Sequence, residues 1–178
     1  MAITIFFQKR TMKKSQRHNS QRGWFAYELY QKMKKNKKIW LVVGDLGYKV
    51  FDQHFADFPD RCLNAGAGEQ AMMGIAVGLA LEGKIPFVYS ITNFLLYRPF
   101  ETIRNYLQIE KIPVKLVASG RNFDYTHDGW SHWSPDAKRI LKCLPNIKQF
   151  WPKEKEEVPE MVEKMISNTQ PSFISLRR

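Results

Sequence analysis

The chain has 178 residues, which suits one domain because domains most often contain about 100–150 residues. Its hydrophobic and aromatic contents, 44% and 13%, are those of a packed globular protein, and its formal net charge is +11. No apolar run approaches the roughly 20 residues that cross a bilayer. Cys62 and Cys143 show neither metal-ligand spacing nor a disulfide framework. We therefore expect one soluble, cytoplasmic domain with no membrane span and no metal ligands of its own.

Basic residues are concentrated near the amino terminus, between Lys9 and Lys38. Residues 8–19 are polar and lack hydrophobic periodicity, which predicts a flexible basic arm over residues 1–19 and a folded domain over residues 20–178. No zinc spacing, recognition-helix pattern or aromatic RNA-binding signature accompanies the basic blocks. Their pattern favours a solvated arm or a surface for an acidic partner over nucleic-acid binding.

Short β-rich runs alternate with helical patterns along the rest of the chain. The predicted strands are Ile39 to Val43, Arg61 to Ala65, Pro86 to Ile91, Val114 to Ser119, Ile147 to Trp151 and Ser172 to Leu176. Predicted helix starts are Ser20 as the cap of a helix to about Lys35, Pro99 before Phe100 to Ile109, and Ser134 as a further cap. This alternation predicts a three-layer α/β fold, in which a mostly parallel six-stranded sheet has helices on both faces.

In open sheets of this kind, ligands bind beyond the carboxyl ends of the strands, where the loops converge. The segments that follow the first four predicted strands are Asp45, Gly66 to Gln70, Asn93 to Tyr97, and Arg121 to His132. These loops contain nearly all the unusual residues, so we expect the functional site among them.

Glu69 stands where a glycine-rich turn becomes a helix whose continuation, Ala71 to Leu81, is almost wholly apolar. A carboxylate at that position is poorly solvated. The residues alone leave two interpretations open, a functional acid or an ordinary first-turn glutamate that favours the positive end of the helix.

The same predicted helix has a stripe of small residues at spacings of four, three and four. They are Ala67, Ala71, Gly74 and Gly78. Glycine in a helix interior costs roughly 1 kcal/mol relative to alanine, so two on one face indicate close packing. That packing is either against another helix of this chain or across a subunit interface.

Several segments together resemble the pyrimidine-binding domain of transketolases. They are Asp45-Leu46-Gly47, Phe58 to Gln70, Gly78 to Ser90, Asp128 to His132, Leu144 to Ile147, and Trp151-Pro152. The resemblance covers roughly Gly23 to Arg178, and its specificity lies in the order and spacing of the segments. It implies the thiamine diphosphate-binding fold.

The resemblance implies a cofactor role for four residues. Glu69 matches the family's catalytic glutamate, which hydrogen-bonds a ring nitrogen of the cofactor's aminopyrimidine and so promotes loss of the thiazolium proton. Phe94 matches the aromatic residue that stacks on the pyrimidine, Tyr97 a nearby pocket aromatic, and Asp45 a further cofactor-binding position. Without the resemblance, aromatic residues at this spacing are most often core residues.

A second set of residues is implied to face the substrate. His132 matches a histidine near the reacting centre and is expected to be catalytic, and Asp128 matches an acid of the same loop. Arg121 and His127 lie in this loop and are further candidates for substrate binding. A histidine between tryptophans is otherwise a packed ring with one satisfied nitrogen.

The family's diphosphate-binding domain, with Gly-Asp-Gly and a distant asparagine that hold the metal ion, is not matched here; Gly44-Asp45-Leu46-Gly47 is not that motif. The resemblance therefore implies one chain of a split enzyme, a homodimer or heterotetramer in which a separate chain binds the diphosphate and Mg²⁺. The implied reaction is ketol transfer, of two carbons, on a sugar or sugar phosphate. Alternatives are a deoxyxylulose-phosphate synthase-like subunit, a 2-oxo acid dehydrogenase beta-like subunit and a non-catalytic binding module.

Overall fold

The computed structural model describes residues 17–178, so nearly all of the predicted basic arm lies outside the described residues. Six strands form one sheet: β1 (Ile39–Val43), β2 (Cys62–Asn64), β3 (Ile85–Ile91), β4 (Lys115–Ser119), β5 (Lys148–Phe150) and β6 (Ser172–Leu176). Their order is β2-β1-β3-β4-β6-β5, and every neighbouring pair is parallel. The predicted fold class is confirmed, and each of the six strands overlaps its predicted range, although β2 and β5 are shorter than predicted.

Helices connect the strands. They are α1 (Gln21–Lys35), α2 (Asp52–Asp57), α3 (Glu69–Leu81), α4 (Thr92–Tyr97), α5 (Phe100–Thr102, continued as a π-helix over Ile103–Ile109), α6 (Ala137–Lys142) and α7 (Val158–Ser167). Ser20 caps α1 as predicted, because its hydroxyl accepts a hydrogen bond from the Gly23 amide at 3.1 Å. Pro99 occupies the residue before α5, also as predicted.

The prediction that Ser134 caps a helix is wrong. Helix α6 begins three residues later, at Ala137, and Asp136 occupies its cap position without a side-chain bond to the helix. Ser134 instead forms an isolated antiparallel bridge with Asn122, and its hydroxyl donates to the Gly120 carbonyl at 3.5 Å. Contacts with the loop after β4 therefore override the local capping signal.

Each face of the sheet is covered by its own hydrophobic cluster. Helices α1 and α7 pack on one face, where Leu41 and Val43 contribute from β1. Helices α3, α4 and α6 and the π-helix pack on the other face, where Val42 of the same strand is buried. Every residue of β4 and β6 is buried, as expected for parallel strands covered on both sides. Because both faces are covered, a ligand-binding site can lie only at the loops at the ends of the sheet.

His54 of α2 is a completely buried histidine in the first of these layers. Its ring centroid lies 5.5 Å from that of Tyr30 and 5.1 Å from that of Phe51. Burial lowers the pKa of His54 to about 3 and outweighs the backbone groups of Ala26 and Phe51, which favour the charged ring. The ring is therefore neutral in the folded protein at pH 7.

This burial predicts a specific loss of stability in acid. In the unfolded chain the histidine has an ordinary pKa near 6.5, so between about pH 6.5 and pH 3 only the unfolded state takes up this proton. Lowering the pH from 7 to 5 should reduce the free energy of unfolding by about 2 kcal/mol through this group. His54→Phe should remove that part of the pH dependence in urea unfolding, while the control His127→Gln, at an exposed site, should keep it. An unchanged pH dependence in His54→Phe would contradict the assignment.

Candidate functional site

A small cavity of about 160 Å³ lies at the carboxyl edge of the sheet, where β1, β2 and β3 end. Its walls come from the loops after β1 and β2, the end of β3, and α4. The lining residues are Gly44, Asp45, Leu46, Ala67, Glu69, Ser90, Ile91, Phe94 and Arg98. Three of the four residues predicted for the cofactor, Asp45, Glu69 and Phe94, are therefore brought together in one cavity.

Asn64, the last residue of β2, joins the two loops that frame this cavity. Its side-chain oxygen accepts hydrogen bonds from the amides of Asp45 and Gly66, both at 3.0 Å. Both of those residues have positive φ, 50° and 65°, so each loop turns sharply at the point where Asn64 binds it. The loops after β1 and β2 are consequently fixed relative to each other.

Glu69 is the first residue of α3, and only 1% of its surface is exposed. Its Oε1 accepts a hydrogen bond from the Ser90 hydroxyl at 2.8 Å, and its Oε2 accepts one from Arg98 Nη1 at 2.6 Å. Gly44 leaves the room for this carboxylate, because a Cβ there would lie 3.2 Å from Oε1. Since a buried charge is costly unless paired, these two donors are what allow a carboxylate at this depth.

The ring of Phe94 forms the wall beside Glu69. The Arg98 guanidinium carbon lies 3.7 Å from the centroid of this ring, a close cation–π contact between residues one helical turn apart. The His132 ring meets the same phenylalanine at 4.9 Å and an interplanar angle of 67°. Phe94 therefore connects the cavity to the loop that contains His132.

None of the four predicted substrate residues is among the residues that line the cavity. His132 is half-buried, and its Nδ1 lies 3.0 Å from the Ser131 hydroxyl. His127 and Asp128 are exposed on the same loop, and Asp128 Oδ2 lies 4.0 Å from Arg178 Nη1. The substrate roles of these residues remain predictions, and the Phe94 contact makes His132 the one nearest to the cavity walls.

Arg121 is engaged in the packing of its loop. Its guanidinium donates to the Ser175 hydroxyl at 3.1 Å, to the Ser175 carbonyl at 2.5 Å and to the Pro152 carbonyl at 3.0 Å. These bonds connect the loop after β4 to β6 and to the segment after β5. Its predicted role in substrate binding stays a prediction.

Tyr97 lines a neighbouring groove and is not among the residues that line the Glu69 cavity. Its hydroxyl donates to Asp136, and burial, then that hydrogen bond, raises the pKa of Tyr97 to about 12. The groove has a volume of about 410 Å³ and is lined by Asn93, Tyr97, Trp130, Trp133, Pro135, Asp136 and Arg139. The cofactor role of Tyr97 also stays a prediction.

Three residues of the site were missed by sequence reasoning: Asn64, Ser90 and Arg98. Asn64 and Ser90 lie at or next to the carboxyl ends of their strands, a position that could have marked them as candidates. Arg98 follows Phe94 by four residues, which is the spacing of a stacked pair on one helix face. Without the fold, nothing about these three residue types indicates a functional site.

Within the described residues 17–178, no group of three or more histidine, cysteine, aspartate or glutamate side chains could hold a metal ion. No helix in that range is both long enough and apolar enough to cross a membrane.

The chain is thus a parallel α/β domain with a buried glutamate beside an aromatic ring at the carboxyl edge of its sheet. The family described as the transketolase pyrimidine-binding domain matches residues 20–178. The chain belongs to this family.

Relatives of known sequence and structure agree with this assignment. The chain is 30% identical to the putative transketolase C-terminal section of Methanocaldococcus jannaschii, over 90% of this chain and 51% of that protein. It is 30% identical to an apulose-4-phosphate transketolase subunit of Actinobacillus succinogenes, over 67% and 39%. A solved split gene transketolase, described as an inactive beta4 tetramer, aligns with a TM-score of 0.78 at 31% identity, over 89% of this chain and 52% of that chain. The chain thus spans about half or less of the length of these relatives.

Proposed function

We propose that this chain is the pyrimidine-binding subunit of a split, transketolase-like thiamine diphosphate enzyme. The reaction is a two-carbon ketol transfer on a sugar or sugar phosphate. The observation that carries the proposal is the buried carboxylate of Glu69 beside the ring of Phe94. A glutamate that served only the helix dipole would gain nothing from being enclosed with an arginine, a serine and an aromatic ring.

The residues of the cavity fit the pyrimidine end of the cofactor. A flat group with N–H donors already lies between Glu69 and Phe94, since the Arg98 guanidinium stacks on the ring and donates to the carboxylate. The cavity, about 160 Å³, is well below the roughly 300–1,000 Å³ that encloses a complete drug-sized ligand. Its size suits one end of the cofactor, and the diphosphate end and Mg²⁺ would bind on another surface.

When bound, thiamine diphosphate supplies a carbon nucleophile that the side chains of a protein lack. In this chain Glu69 would hold or exchange a proton at the pyrimidine ring nitrogen, and Ser90 would orient the Glu69 carboxylate. Phe94 would hold the ring by stacking. His132, at the edge of Phe94, would hold or move a proton on the side from which the substrate approaches.

A separate chain is proposed to bind the diphosphate and Mg²⁺, in a homodimer or heterotetramer in the cytoplasm. The names of two relatives support this, since one is called a transketolase subunit and another is a split gene product described as inactive as a beta4 tetramer. Deoxyxylulose-phosphate synthase-like and 2-oxo acid dehydrogenase beta-like subunits would use the same pyrimidine site. Assays with different donors distinguish these possibilities.

The outer face of α3 supports an interface with another chain. The small-residue stripe is exposed along its length, and a Cβ built on Gly74 or Gly78 meets no atom within 4 Å. Ile75 and Leu81 on the same face are 39% and 68% exposed. Gly74 and Gly78 therefore do not serve packing within the chain, and an apolar helix face of this kind favours association.

The first prediction concerns activity. The purified chain alone should show no ketol transfer from a ketose donor to an aldose acceptor, because its cavity can hold only one end of the cofactor. Adding the diphosphate-binding partner, Mg²⁺ and thiamine diphosphate should produce activity. Turnover by the isolated chain, with contaminating transketolase removed, would contradict the split-enzyme proposal.

A second prediction concerns Glu69→Gln in the reconstituted complex. Glutamine keeps the size of the side chain and one acceptor oxygen for the donors Ser90 and Arg98, but it cannot exchange a carboxyl proton. Exchange of the cofactor's thiazolium proton, followed by NMR in deuterium oxide, should slow by at least about 10²-fold, the usual effect of losing an acid–base group. Thiamine diphosphate should still bind, though more weakly. Exchange at the wild-type rate would show that Glu69 is only a helix-start residue.

A third prediction concerns association. Gly78→Leu places a bulky side chain on the outer face of α3, where it has room in the single chain but blocks close approach of a second helix. The oligomer mass from light scattering should fall, while the helix content from circular dichroism stays unchanged. Lys35→Leu, on the exposed end of α1, is the matched control and should leave the mass unchanged. A variant Gly78→Leu with wild-type mass would exclude this face from the interface.

A further inference from the structure

Arg98 makes two contacts in the Glu69 cavity, and they differ in kind. Its Nη1 donates to Glu69 Oε2 at 2.6 Å, and its guanidinium carbon lies 3.7 Å from the centroid of the Phe94 ring. The first contact satisfies a buried carboxylate, and the second stacks a planar group on an aromatic ring. A planar heterocycle bound by Glu69 and Phe94 would need the same carboxylate oxygen and the same ring face.

We propose that Arg98 is a displaceable placeholder: in the free chain its guanidinium occupies the seat formed by Glu69 and Phe94, and the aminopyrimidine of the cofactor binds by displacing it. This inference rests on the proposed function, because it takes the ligand of the seat to be that ring. Arg98 would then compete with the cofactor for the cavity.

Competition follows from the hydrogen bonds of Glu69. Its Oε1 is already bonded to the Ser90 hydroxyl at 2.8 Å, so the oxygen on the Arg98 side is the one that an incoming ring can take over. The guanidinium stacked on Phe94 also covers the ring on which a pyrimidine would stack. One planar group with donors therefore excludes the other.

The different exposures of Glu69 and Arg98 explain how an arginine can pair with the carboxylate and still be displaced. The Glu69 side chain is 1% exposed, so without the cofactor its charge needs a partner, and the Arg98 guanidinium supplies one. The Arg98 side chain is 44% exposed and follows the last residue of α4, so it can swing into solvent without disturbing the core. The carboxylate is thus paired in both states, first by arginine and then by the cofactor.

The test is the affinity of the chain for 4-amino-2,5-dimethylpyrimidine, measured by NMR titration. Arg98→Met keeps an unbranched apolar side chain but removes the guanidinium, and it should lower the dissociation constant roughly tenfold, the size expected for losing a charge-assisted competing bond. Arg104→Met is the matched control, since Arg104 is exposed and its Nη1 donates to the Asn105 side chain. It should bind like the wild type, and Phe94→Ala should bind more weakly.

Arg98→Lys is a second variant, which controls for a loss of folding in Arg98→Met. It keeps a positive charge near Glu69 and loses the planar stacking, so it should bind the probe with an affinity between those of the wild type and Arg98→Met. Thermal unfolding checks that each variant is folded, and Arg98→Met should melt a few degrees lower because Glu69 loses its ionic partner.

The outcomes separate the placeholder from the proposed function. Equal or weaker binding by Arg98→Met, with Phe94→Ala still impaired, would overturn the placeholder and leave the pyrimidine site standing. Absence of binding by the wild type and by every variant would overturn both. Tighter binding by Arg98→Met, with Arg104→Met unchanged, supports the placeholder.

Discussion

The site depends on one electrostatic constraint, the burial of the Glu69 carboxylate at the start of α3. A buried anion is retained only if donors reach its oxygens, and here the donors come from two other elements, Ser90 at the end of β3 and Arg98 after α4. The strand order explains the convergence, because β1 lies between β2 and β3 and all three end at the same edge. Gly44, after β1, completes the arrangement by leaving space for the carboxylate. A change in any of these elements would therefore alter the position or the hydrogen bonds of the Glu69 carboxylate.

The fold was predictable because its signals are local and repeated. Short β-rich runs alternating with helical segments leave few arrangements other than a parallel sheet covered on both faces, and each run became a strand. The predicted bounds failed most at β2 and β5, which have three residues each and are the two edge strands of the sheet. An edge strand pairs on one side only, so its pairing ends sooner than a five-residue β-rich run suggests. Ser134 failed for a related reason, since a tertiary bridge replaced its local role as a cap.

The site was predictable only in part, and the limit is sequence separation. Glu69, Phe94 and Asp45 were found through the resemblance of ordered segments, and the fold brings them to one cavity. The partners of Glu69 lie 21 and 29 residues away in sequence, and no spacing within a segment marks them. Tyr97 is three residues from Phe94, and its hydroxyl donates to Asp136 in the neighbouring groove. Residues close in sequence on one helix can therefore line different cavities.

Helix α3 joins the two features on which the proposed function depends. Its first residue is the buried carboxylate, and its outer face is a stripe of exposed small and apolar residues. Rigid helices transmit small displacements along their length, so a chain that packs on this face would also set the position of Glu69 relative to β3 and α4. The Arg98 contact would then be sensitive to association as well as to the cofactor, because the distance from Glu69 Oε2 to Arg98 depends on where α3 begins. In the proposed split enzyme, packing of the diphosphate-binding chain on this face would link completion of the pyrimidine site to association.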